Sequence, residues 1–256
     1  MTLIEAAKES DSLYFELGAT STPLPGCQLA TMPGLEHLDS ASVFHRVQST
    51  PDPRHALERM RAEVHTRGLP LIRLYLMNPD PIWEAALQQD GFTSREELIL
   101  GASHATRSSW EQSSSLHLTP IQTPDQWEIR KNILGSGETV PDGHGSDLNA
   151  YLDMEQQKAQ NGGLTFYLAA TSGGMIVGSA GLLHVHSAAR LKNLVVHAQH
   201  RGRGYAAAMI RAFASLADPS QSLIAYALQY PPALRLYQSL NFTRLGSCFE
   251  WTPRKV

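Results

Sequence analysis

Leu194-Val195-Val196-His197-Ala198-Gln199-His200-Arg201-Gly202-Arg203-Gly204-Tyr205-Ala206 is the stretch on which the reading of this chain turns. An apolar, β-branched run passes through a short basic turn with two glycines into an alanine-rich segment that predicts a helix from near Gly204. Two glycines one residue apart let the backbone turn tightly, so that successive N–H groups face one small volume. A helix starting there adds unpaired N–H donors and the positive end of its dipole. Arg201 and Arg203 add charge-assisted donors suited to phosphate oxygens. The chemistry is that of a pyrophosphate cradle. The string from Gly202 to Ala207 also satisfies a dinucleotide fingerprint with alanine in third place. Against that, the first glycine follows non-strand residues, no acid stands near the end of the next predicted strand (224–229), and about 50 further residues are too few for a doubly wound sheet.

The totals narrow the class further. With 256 residues, 42% hydrophobic and 18% charged, the chain can bury a real core as one large or two modest domains. A net charge of −3 gives no global electrostatic case for nucleic acid or an anionic membrane. Cys27 and Cys248, the two cysteines, make neither a disulfide framework nor a zinc knuckle and fit a reducing compartment. No basic-then-apolar leader opens the sequence and no apolar run is long enough to span a bilayer, so a cytoplasmic protein is expected.

Periodicity and turn residues divide the chain into elements. Helices are predicted over 2–17, 55–67 (behind Asp52-Pro53), 81–89, 123–133, 148–159, from Gly204 to 217, and over 232–240. Strands are predicted over 27–32, 41–47, 69–77, 92–100, 116–120, 164–171, 175–186, 190–196, 222–229 and 244–251, with 20–26 as a turn-rich connector. The serine-rich stretch near 102–115 has the composition of a linker. The expected domains are therefore 1–105, a linker at 106–115, and 116–256.

From residue 116 onward the order is strand, two helices, three antiparallel strands, helix, strand, helix, strand. That order, with Gln199-x-x-Gly202-x-Gly204 after a strand, resembles the GNAT N-acetyltransferase superfamily. A second motif, Ala233-Leu234-Arg235-Leu236-Tyr237 with Asn241-Phe242, resembles the family's Ala-x-x-Leu-Tyr…Gly-Phe helix and turn. Asn241 replaces glycine there, and Tyr230 stands where the family has an asparagine, which puts one hydrogen bond to the pantetheine arm in doubt. The resemblance implies an α/β (α+β) GNAT fold, a mixed central sheet flanked by helices. Shifted by 150 positions, Ala56 falls on Ala206, Leu74 on Ile224 and Phe92 on Phe242. This suggests a shortened, degenerate GNAT-like first half. Under the same shift Asp52 and Arg54 replace Gly202 and Gly204, and Leu87 replaces Tyr237, so the first half is not expected to bind acyl-CoA.

The resemblance further implies an acetyl-CoA-dependent N-acetyltransferase acting on a small-molecule or peptide primary amine by direct transfer, with acetyl-CoA as co-substrate. Acetyl-CoA would be held by the main chain of Leu194, Val195 and Val196, by Arg201, Gly202, Arg203, Gly204, Tyr205 and Ala206, and near Tyr230. Tyr237 would donate a proton to the departing thiolate. The base is open: the 190–196 strand holds no acid, and Asn193 can orient water but not take a proton. His184 and His186, two apart on one strand, share a face and either can titrate near pH 7, or both are simply exposed or structurally satisfied. No third ligand accompanies them, so no metal is expected. Glu138, Asp142, Asp147, Asp153 and Glu155 suggest an acidic rim attracting a cationic amine, or else a helix cap and a solvated face. A non-catalytic module of the same fold, holding acyl-CoA or an amine without turnover, is the alternative.

Overall fold

The computed structural model describes residues 2–77, 81–110, 116–137 and 148–254. Helix α1 (Leu3–Glu16) begins at a capping box, in which the Thr2 hydroxyl accepts from the Glu5 N–H and Glu5 accepts from the Thr2 N–H. The first half continues through β1 (Thr20–Leu24), β2 (Cys27–Thr31), β3 (Ser42–His45), α2 (Pro53–Arg67), β4 (Leu74–Met77), α3 (Pro81–Gln89) and β5 (Phe92–Ala102). After α4 (His104–Ser108) come β6 (Leu116–Pro120), α5 (Pro124–Gly135), α6 (Leu148–Gln160), β7 (Leu164–Thr171), β8 (Ile176–His184) and β9 (Ala188–Val196). The chain then runs through α7 (Tyr205–Leu216), β10 (Ser222–Leu228), α8 (Pro231–Ser239) and β11 (Thr243–Pro253). Residues 20–26, expected as a connector, instead contribute β1, which pairs with β2 at the sheet edge. Pro23 is tolerated there because an edge strand leaves alternate N–H groups unpaired.

The eleven strands form one sheet in the order β1-β2-β3-β4-β11-β5-β10-β9-β8-β7-β6. The pairs β3–β4 and β9–β10 are parallel, bridged by α2 and α7 respectively. The last strands of the two halves are exchanged: β11 separates β5 from β4, and β5 separates β11 from β10. Leu74 stands opposite Trp251 and Met77 opposite Cys248. Shifted by 150 positions, those pairs become Ile224 opposite Gly101 and Ala227 opposite Leu98, which are the pairs observed between β10 and β5. The repeat seen in the sequence is thus a repeat in hydrogen-bond register.

Apolar side chains cover both faces of the sheet. Met209, Ile210 and Phe213 of α7 and Tyr237 of α8 pack with Leu98, Leu100, Val177 and Leu182 on one face. On the other, Tyr14 and Phe15 of α1 pack with Tyr75, Ile99, Phe166 and Ile224. Part of the serine-rich stretch is ordered as α4. From it, Arg107 donates to the carbonyls of Ala214, Ala217, Asp218 and Gln221, placing a cation at the C-terminal end of α7. Residues 111–115 of that stretch lie outside the described residues.

One buried histidine gives the fold an acid limit. His45 is 2% exposed, lies 5.4 Å from the Phe15 ring centroid, and has no hydrogen-bond partner on either nitrogen among the described residues. Burial, then the charges of Arg46 and Lys158, push its pKa down to about 4. The unfolded chain, near 6.5, takes up this proton first, so the contribution is intact above about pH 6.5 and is lost as pH falls to about 4. A shift of this size corresponds to about 3 kcal/mol. His45→Leu should flatten the pH dependence of the urea midpoint across that window. An unchanged slope would assign the acid limit to other groups.

Candidate active site

The site begins where two parallel strands part. Between β9 and β10 the pairing runs from Ala188–Ser222 to Leu191–Ala225 and stops there. Past Leu191, β9 bends: its register with β8 changes between the Gly181–Lys192 and Ser179–Val195 pairs, three steps on β9 against two on β8. Asn193 lies in this bulge with φ +49°. Its amide donates to Glu155 Oε1 at 2.7 Å and to the Tyr151 hydroxyl, which ties the bulge to α6. The backbone of Leu194, Val195 and Val196, half-buried, therefore borders a slot that β10 does not fill. Leu194 and Val196 pack towards the α7 face and Val195 towards the other, the alternation expected of a strand.

At the end of that slot lies the cradle. A single 3-10 turn, Ala198–His200, leads to Gly202 at φ +74° and Gly204 at φ +79°. Both conformations favour glycine, and no heavy atom lies within 4 Å of where a Cβ would stand at either. Gly204 is the N-cap of α7 and supplies no side-chain cap, so the first N–H groups of α7, from Tyr205 and Ala206 onward, keep their capacity for an anion. Arg201 Nε donates to the Val196 carbonyl at 3.2 Å, linking cradle to slot, and Arg203 is exposed. The Ala198 N–H donates to Ser136 Oγ at 3.0 Å, so the end of α5 braces the turn.

Tyr237 belongs to the same core cluster as Met209 and Ile210, against which Leu194, Val196 and Tyr205 pack. The tyrosine and these slot residues thus share the core on the α7 face of the sheet. It is 8% exposed, its ring meets Phe242 edge-on at 5.1 Å, and burial pushes its pKa up to about 12. It keeps its proton at neutral pH. Tyr230, at the N-cap of α8 just beyond β10, is 62% exposed and its side chain makes no cap hydrogen bond.

The histidines lie at the end of β8 far from the cradle. His184 ends β8 opposite Ala189, whereas Gly178, at the other end of β8, is opposite Val196. Six residues of strand put His184 about 20 Å from the cradle end, and exposed His186 follows beyond it. β8 ends at His184, so His186 lies beyond the strand, and His184 stands two positions past Leu182, the partner of Leu191 at which the β9–β10 pairing stops. Of the five carboxylates read as an acidic rim, one is shown to lie elsewhere. Glu155 is fully buried and takes both arms of fully buried Arg130, at 2.7 Å each. It carries no charge to the surface. Asp153 is exposed; Glu138, Asp142 and Asp147 lie outside the described residues. Nothing in the spacing pointed to Arg130 or to Asn193 as its indirect partner, because their contacts join elements far apart in sequence.

A mixed sheet whose parallel strands splay ahead of an uncapped, glycine-led helix has the architecture of an acyl-CoA-binding fold. Residues 162–244 match the acetyltransferase (GNAT) domain family model, so the second half carries a GNAT domain. The chain is similar in structure to a GCN5-related N-acetyltransferase from Kribbella flavida (TM-score 0.72, 13% identity, covering 100% of this chain and 97% of that one). A conserved protein of unknown function from Staphylococcus epidermidis is similar over 94% of this chain and 96% of its own (TM-score 0.70, 10% identity). A tandem GNAT protein from the clavulanic acid biosynthesis pathway is similar over 88% of this chain and 77% of its own (TM-score 0.56, 13% identity). No curated protein sequence matches. The fold is the GNAT fold, preceded by a shortened GNAT-like half, and the family's activity is acyl-CoA-dependent acetyl transfer.

Proposed function

We propose that the chain is an acetyl-CoA-dependent N-acetyltransferase that passes the acetyl group directly to a primary amine. The observation that carries this reading is the parting of β9 from β10 after Leu191 and Ala225, with the two-glycine cradle at the end of the same strand. The free backbone of Leu194 to Val196 would align the pantetheine arm, and Gly202 to Ala206 with Arg201 and Arg203 would hold the pyrophosphate. The amine nitrogen attacks the thioester carbon, the C–S bond breaks, and the thiolate takes the Tyr237 phenol proton. Burial keeps the phenol protonated at neutral pH, so the proton is there to give, and the same burial makes its transfer to a thiolate harder. With no acid in the 188–196 strand, the amine's proton would leave through water.

The proposed organisation is residues 1–105 as the GNAT-like half without an acyl-CoA site, 106–115 as the join, and 116–256 as the acyl-transferring half. In the first half, Asp52 caps α2 by accepting from the His55 N–H at 3.0 Å, which places a carboxylate where α7 has its glycines. Such a helix start repels a pyrophosphate.

Purified protein incubated with acetyl-CoA and a panel of amines should release free thiol. Tyr237→Phe should lower kcat by roughly 10²–10⁴ while leaving acetyl-CoA affinity unchanged, the signature of a lost proton donor. Acetyl-CoA binding without thiol release across chemically varied amines would favour the non-catalytic reading, which the missing strand acid supports. Absence of acetyl-CoA binding would refute the transferase reading and leave only a module that holds an amine.

A further inference from the structure

The first half repeats the parting of parallel strands as well as their register. β3 and β4 share a single pair, Phe44 with Leu74, and separate beyond it. Arg46, two residues past that pair, has φ +52°, as Asn193 has φ +49° two residues past Leu191. Where β3 and β4 part, a cavity of about 270 Å³ lies under α1, on the face away from α2. Lys8, Asp11, Ser12 and Phe15, at helical spacing, line it from α1. Tyr75 and Met77 of β4 join Phe15 in an apolar wall. His45, 2% exposed, also lines the cavity, and neither ring nitrogen has a hydrogen-bond partner among the described residues. A neutral imidazole buried in this way leaves one donor and one acceptor unused, a cost that an occupant can offset.

Most of the charge around this cavity is already matched. Asp11 accepts from Arg190 and from the Tyr75 and Tyr226 hydroxyls, and Arg46 pairs with Glu16 at 3.0 Å. Lys8 has no ion pair, and the Ser12 hydroxyl no hydrogen bond, among the described residues. We propose that the cavity binds a small monocarboxylate with an apolar body, with Lys8 as its counter-charge and Ser12 and the His45 N–H as donors. One unpaired cation calls for one negative charge, and the aromatic wall calls for an apolar body. The volume falls below the roughly 300–1,000 Å³ of drug-sized sites, which limits that body to the size of a phenyl ring or a short chain. After burial, the larger cause, the charges of Arg46 and Lys158 lower the His45 pKa, and that positive field favours an anion. Asp52, at the start of α2, repels a pyrophosphate, so the parted strands of this half serve a ligand other than acyl-CoA. The site stands apart from the transferase reading and does not depend on it.

Phenylacetate and hexanoate, titrated calorimetrically into the full chain beside 2-phenylethanol and hexylamine, test the inference. The carboxylates should bind about tenfold tighter or more than these counterparts, and the imidazole NMR signals of His45 should shift as binding saturates. Lys8 is exposed, so Lys8→Gln leaves the fold intact and should remove most of the preference. His45→Leu, which keeps the wall apolar, should do the same. Gly202→Asp should leave carboxylate binding unchanged, whereas a carboxylate held at the cradle of α7 would be lost with it. Absence of carboxylate binding at ~10 mM, where even a weak site registers, would overturn the proposal. So would equal binding of 2-phenylethanol, binding that survives both Lys8→Gln and His45→Leu, or binding lost with Gly202→Asp.

Discussion

Gly202→Asp is expected to abolish acetyl-CoA binding in a chain that still folds, and the intact chain should bind one acetyl-CoA, not two. Gly202 is exposed at φ +74° in the cradle, with no heavy atom within 4 Å of a Cβ built there. An added side chain therefore meets no steric block, and its effect divides into conformation and charge. The left-handed conformation costs an ordinary residue roughly 1–2 kcal/mol, about tenfold in affinity if it opens the cradle. A carboxylate about 4 Å from a phosphate adds repulsion of about 4 kcal/mol at an effective dielectric near 20, close to a further thousandfold. Gly202→Ala, which has the first effect alone, separates the two. Calorimetry should give a stoichiometry near one for the native chain, a modest loss for the alanine variant and no measurable heat for the aspartate variant. Two equivalent sites, or binding that survives Gly202→Asp, would overturn both the cradle and the silence assigned to the Asp52-capped helix of the first half.

What the sequence could and could not show follows from the range of the interactions involved. Local signals succeeded: Asp52-Pro53 starts α2, Thr123 caps α5 with Gln126, and the glycine pair marks the start of α7. Each is a contact within a few residues of its own position. The 150-residue shift also held, down to the pairing of Leu74 with Trp251 and Ile224 with Gly101. Long-range features were silent. No pattern foretold that β5 and β11 would trade places, although that exchange carries Arg95 and Glu97 beside the second half's strands. Alternation placed His184 and His186 on one strand, but it could not show that β8 ends at His184 or which end of it faces the cradle. Glu155 misled because a carboxylate on a helix looks solvated until the arginine that buries it, 25 positions away, is known.

That arginine supports the largest stability effect we expect. Arg130 and Glu155 are both fully buried, and Arg130 Nη1 also donates to Ser179 Oγ at 2.8 Å, with its guanidinium 4.2 Å from the centroid of the Phe166 ring. Glu155 in turn holds Asn193 in the β9 bulge. Glu155→Leu would leave a guanidinium enclosed without its counter-charge, a loss of about 3–5 kcal/mol. In a chain of this size that lowers Tm by roughly 6–20 °C. Arg130→Met should cost a similar amount. The double variant Arg130→Met/Glu155→Leu leaves no orphan charge, so it should be more stable than either single variant, the strong non-additivity of a coupled buried pair. Its acetyl-CoA affinity should nevertheless stay below that of the native chain, because Asn193 then keeps only the Tyr151 hydroxyl to hold the bulge that borders the slot. Additive losses in Tm would show that the pair is screened and contributes little. A double variant with native acetyl-CoA affinity would show that the bulge does not depend on Glu155.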